Sequence, residues 1–166
     1  MQNKEIILYK LQPALDECRL HQQRLHQAWL EAKDFEAFLP EALHARLSEA
    51  QVRVCDQLVF RFGRLQDAMG TRLLPALMQL TQEWQETETF IDKLNRAEKL
   101  GMIPAAEQWQ KLLELRNQSA HEYPGQPELL IANLRRLVES VPLLEQALGH
   151  LQQYASQRTG PKEKSH

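Results

Sequence analysis

Three residues with usable chemistry stand close together in "LELRNQSAHEYPGQPE", residues 113–128: Arg116, His121 and Tyr123. Histidine titrates near neutral pH and serves as a general base or acid. Arginine presents a planar fork that grips phosphate oxygens in pairs. Together they suit cleavage of a phosphodiester. The histidine moves a proton to or from a ribose 2′-hydroxyl or the leaving oxygen, and the arginine stabilises charge on the phosphoryl group. RNA carries its own nucleophile, so such a site needs no metal, and the sequence has no metal-ligand spacing. Asn117 is polar and adjacent, placed to orient the histidine or a phosphate.

Helix geometry limits how these groups can meet. At ~100° per residue, Arg116 and Tyr123 share a stripe, whereas His121 lies about 140° around from Arg116. Two routes bring them together: the helix unwinds before Pro124, whose predecessor is pushed out of the α region, or the arginine comes from a second copy of the chain. Spacing alone also allows coincidence. The remaining histidines offer less. His21, His26 and His44 read as solvated helix positions, and His150 and His166 lie near or in the tail.

The elements that must position this motif are helical. Leu, Ala, Gln and Glu are abundant and glycine is scarce, with 6 in 166 residues. No segment alternates apolar and polar residues over a strand's length. One domain is expected over residues 1–156, followed by a disordered polar tail over 157–166. A first helix is expected from Asn3 to Phe38, its stripe made by Leu8, Leu11, Leu15, Cys18, Leu25 and Trp29, with Pro13 either kinking it or marking its start. A second runs from Glu41 to Met69 with Leu43, Leu47, Ala50, Val54, Leu58 and Leu65 on its stripe, stopped by Gly70. A third region begins around Pro75. Thr89 and Asp92 resemble a capping box that opens a short helix ended by Gly101. Pro104 opens the motif helix, whose buried side is Trp109, Leu112, Leu113 and Ala120. A long helix from about Glu128 repeats Leu130, Leu134, Leu137, Val141, Leu144, Leu148 and Leu151, with a kink predicted at Pro142. The fold class is all-α: an up-and-down bundle of four to five main helices.

The formal net charge is −2, from 20 Lys and Arg against 22 Asp and Glu. This argues against bulk binding to duplex nucleic acid and leaves room for a local basic pocket. Cys18 and Cys55 occupy apolar-face positions and read as buried thiols in a reducing compartment. No apolar run approaches the ~20 residues of a membrane span, so the expected setting is soluble and cytoplasmic.

"LRNQSAHEY" resembles the Arg-x-x-x-x-His-x-Tyr motif of the HEPN superfamily, and specifically of HepT-like toxins. "FRFGRLQDAMGTRLLPAL" and "NRAEKLGMIPAAEQW" look like the same family, so the resemblance spans about Glu41 to Leu151. It implies a HEPN-like helical bundle that forms a homodimer. Two motif copies then make a composite, metal-independent ribonuclease site without a cofactor, with Arg116 and His121 catalytic and Asn117 supporting. It further implies a partner, a nucleotidyltransferase antitoxin of the MNT type, that transfers AMP onto Tyr123. The added phosphate places negative charge and bulk beside the arginines. Arg61, Arg64, Asp67 and Glu122 become candidate contacts to the dimer cleft or the RNA substrate. The same residues also fit a non-catalytic helical subunit that binds a nucleotidyltransferase or a nucleotide.

Overall fold

The computed structural model describes residues 2–42, 44–121 and 123–160. Among these residues the chain forms five helices and no strand. Helix α1 covers 2–32, α2 covers 49–80, α3 is Phe90–Lys99, α4 is Ala106–Ser119 and α5 is Pro127–Thr159. A single 3₁₀ turn, Glu36–Phe38, lies between α1 and α2.

Two prolines shape α1 and α2 without ending them. Each lacks an N–H and crowds the carbonyl four residues back. The helix responds with one wide π turn just before the ring: Ile7–Leu11 ahead of Pro13 and Met69–Leu73 ahead of Pro75. The N–H of Gln12 reaches back to Ile7 O, and that of Leu74 to Met69 O. The extra residue rotates the first turn of α1. Ile6 is therefore buried, and Leu8, expected on the apolar stripe, is 60% exposed. Gly70 does not stop the second helix. It lies inside the second π turn, between Met69 and Leu73, both fully buried. Burial of these side chains and of Leu74 and Leu77 outweighs the ~1 kcal/mol that glycine costs in a helix.

The helix ends follow local chemistry. α1 stops at Ala32, short of Phe38, and Leu39 is extended ahead of Pro40. α2 begins at Glu49, not Glu41, because Ser48 and Gln51 form a reciprocal capping box with bonds of 3.1 and 3.0 Å. Leu43 falls outside the described residues. Thr89 caps α3 by accepting the Asp92 N–H. Gly101, with φ +76°, closes α3 while Met102 N–H reaches back to Ala97 O and Gly101 N–H to Glu98 O. α4 begins two residues after Pro104 and stops at Ser119, which leaves Ala120 exposed rather than buried. α5 starts at Pro127 and runs to Thr159, three residues past Ser156; residues 161–166 lie outside the described residues.

α5 is continuous through Pro142. The missing proline N–H frees Val138 O, and the Trp29 indole N–H of α1 donates to it at 3.0 Å. Cross-helix pairs set the directions. Lys10 meets Gln79, Glu17 meets Arg72 and His21 meets Arg61, so α1 and α2 are antiparallel. Glu145 meets Gln22, while Val138 meets Trp29, so α5 is antiparallel to α1. Leu25, Leu58, Phe62, Leu65, Leu77, Leu137 and Leu148 form the middle of the core, each fully buried. Among the described residues no helix is long and apolar enough to cross a membrane.

Candidate functional site

Arg116 stands in the last turn of α4, held there by a run of good helix formers, "EQWQKLLEL". Its side chain does not hang in solvent. Nη1 and Nη2 donate to the two carboxylate oxygens of Asp67 on α2 at 2.6 and 3.0 Å. Gly63, one turn before Asp67, gives the guanidinium its room: a Cβ there would come within 3.1 Å of Arg116 Nε. The "FRFGRLQD" segment and the motif helix, far apart in sequence, are therefore joined at this pair.

The pair is half-buried, with 34% of the Arg116 side chain and 45% of Asp67 exposed. Two of the five guanidinium N–H groups go to Asp67, and three remain for another acceptor. Asn117 is exposed beside it.

α4 ends before the histidine. Ala120 closes the last turn and His121 is exposed beyond it, its backbone N–H bonded to Gln118 O at 3.3 Å. The regular-helix angle therefore does not govern His121. Among the described residues His121 makes no hydrogen bond or ion pair to Arg116. Tyr123 is half-buried and its hydroxyl donates to Gln118 O at 3.3 Å. Tyr123 to Gln126 then form a type II turn: Gln126 N–H bonds Tyr123 O at 3.0 Å, with Pro124 second and Gly125 third at φ +75°. Glu122 lies outside the described residues.

Arg61 and Arg64 lead elsewhere. Arg61 turns toward α1, where Nη1 donates to His21 Nδ1 at 2.9 Å. His21 Nε2 then faces Glu17 at 3.4 Å, and Glu17 accepts from Arg72 at 2.6 Å. His21 is thus only 5% exposed, against the sequence expectation of a solvated position, because both ring nitrogens find partners between α1 and α2. His26, also expected in solvent, pairs with Glu145 at 3.1 Å. The pKa of Arg61 is lowered by burial first, then by the neighbouring Arg24 and Arg64. Arg64 is exposed and makes no ion pair among the described residues.

Sequence reasoning missed Gly63 and His21. An isolated glycine inside a helical pattern was the available signal for the first, since it commonly marks a close approach. No family model, curated protein or solved structure matches the chain.

Proposed function

We propose that this chain is a ribonuclease toxin of the HEPN type that works as a homodimer. Arg116 of one copy and His121 of the other form the site. His121 takes the proton of a ribose 2′-hydroxyl, the oxygen attacks phosphorus, and the P–O5′ bond breaks to leave a 2′,3′-cyclic phosphate and a 5′-hydroxyl. Arg116 stabilises the charge that builds on the phosphoryl oxygens. The reading is carried by the Arg116–Asp67 pair. Asp67 fixes the guanidinium in one pose and leaves three N–H donors for phosphate. The exposed His121 beyond the helix end supports it, as does the motif resemblance.

In this reading an MNT-type nucleotidyltransferase silences the toxin. The Tyr123 oxygen attacks the α-phosphorus of ATP, its proton passes to the transferase, and pyrophosphate leaves. AMP on Tyr123 adds bulk and negative charge two residues from His121.

Purified protein is expected to cleave RNA in the presence of a chelator. Arg116→Ala and His121→Ala should each slow cleavage at least about a hundredfold with helicity unchanged. Wild-type rates in both variants would end the assignment. One observation favours a second reading: among the described residues of one copy, Arg116 makes no hydrogen bond to His121. In that reading the chain is a non-catalytic helical subunit that binds a nucleotidyltransferase. A stable complex would form, RNA would stay intact, and His121→Ala would be silent.

A further inference from the structure

The exposed face of α2 carries arginines that make no ion pair among the described residues. Taking ~100° per residue, Arg53 and Arg64 lie within about 40° of Phe60, Arg61 lies about 100° around, and Asp67 about 20° around the other way. Arg61 bonds α1 through His21, and Asp67 bonds α4 through Arg116, so this stripe connects the two edges of the face. One turn along α1 from His21 is Arg24, which shares a groove of about 390 Å³ with Arg53, Gln57 and Glu31. Among the described residues Arg24, Arg53, Arg61 and Arg64 make no ion pair, although Glu31 lines the same groove and Asp56, exposed, lies about 40° from Phe60 on α2. A chain of net charge −2 therefore keeps four neighbouring arginines outside the ion pairs of the described residues, only Arg61 being held, by His21.

Phe60 stands among them and is 54% exposed. The Arg61 guanidinium lies 5.2 Å from the centroid of its ring. A large apolar ring in the middle of a basic surface fits two occupants. A second copy packed about a twofold at Phe60 would set Arg64 against Asp56 and Arg53 against an Asp67 that Arg116 already holds. A single-stranded nucleic acid answers both features: phosphates pair with the arginines and an unstacked base lies on the ring. A duplex buries its base faces and has no use for Phe60.

We propose that the α2 face formed by Arg24, Arg53, Phe60 and Arg64 is a binding track for single-stranded RNA, leading across the helix toward Arg116. The identity of the polyanion rests on the ribonuclease reading above; the track itself does not depend on cleavage. Arg61 acts as a positioning residue, pinned by His21 and supporting the Phe60 ring.

The test is fluorescence anisotropy of a labelled single-stranded RNA of about twelve nucleotides, with His121→Ala protein as the non-cleaving parent. Adding Arg24→Ala and Arg64→Ala should weaken binding at least about tenfold near 0.1 M salt and flatten the salt slope by about 1.4, two phosphate contacts' worth. Phe60→Ala should weaken it about tenfold with the slope unchanged. Arg24→Gln with Arg64→Gln replaces the alanine pair if that pair misfolds. Parent-like affinity and slope in the arginine variants would overturn the proposal, as would a parent that binds no RNA. So would conversion of a dimer to monomer by Phe60→Ala in sedimentation, which would make the face an interface between copies. A wild type that binds RNA through this face without cutting it leaves the track standing and removes the nuclease reading.

Discussion

A surface arginine normally samples many rotamers; Arg116 has lost that freedom. Asp67 takes two of its N–H groups and Gly63 supplies the floor beneath it. The cysteines show a different restriction. Burial, reinforced by Glu17, pushes the Cys18 thiol up to about 12, and burial with Asp56 pushes Cys55 up to about 11. The folded state thus favours the neutral thiols. Their contribution to stability is complete below the ordinary value of 9.0 and is lost as pH rises toward 11 to 12. At pH 8 the native protein should resist alkylation by iodoacetamide, read by mass spectrometry, and label rapidly once unfolded. Labelling of both thiols in the native state within minutes would contradict the burial described.

Between elements, the contact that most shapes α5 is a repair. Pro142 removes an N–H from the helix, and the Trp29 indole of α1 takes its place on Val138 O. Trp29→Phe deletes the donor along with the pyrrole half of the ring, so it should cost at least about 1–3 kcal/mol of unfolding free energy. Pro142→Ala restores the backbone N–H, and in that background the same substitution should cost much less. Urea unfolding of the four proteins forms a double-mutant cycle, and independent effects would refute the pairing. The sequence showed Pro142 as a disturbance in a leucine repeat but not its remedy. A side chain 109 residues from Val138 supplies the donor. The π turns have the same status: Pro13 and Pro75 announce a problem, while stop, kink and widened turn are all local solutions. Burial of Leu11, Leu73 and Leu74 selects the turn that keeps the helix going.

At the scale of the whole molecule, the proposed ribonuclease reading draws its arginine and histidine from two copies; within one chain Arg116 bonds Asp67 and makes no bond to His121 among the described residues. That has a quantitative consequence. Neither Arg116→Ala nor His121→Ala alone should cleave RNA. Mixed and allowed to exchange, half the dimers become hybrids, and each hybrid holds one site with its arginine from one chain and its histidine from the other. Activity should therefore return to about a quarter of wild type. A mixture as inactive as its parts would show that both residues must come from one chain.

The amino-acid sequence by itself determined the all-helical class, because a 3.6-residue apolar period and local propensity are properties of neighbouring residues. It also determined much of the α5 stripe, from Leu134 to Leu151, and the turn at Pro124 and Gly125. Arg116 and His121 were legible as chemistry but not as geometry. Tertiary structure alone decided that Arg116 meets Asp67, that Gly63 makes space for it, and that His21 is buried between Glu17 and Arg61. The arginines of α2 were visible one by one. Their standing together with Arg24 depends on which faces α1 and α2 turn to each other. That choice is made by the burial of side chains from several helices at once, and no local stretch of sequence contains it.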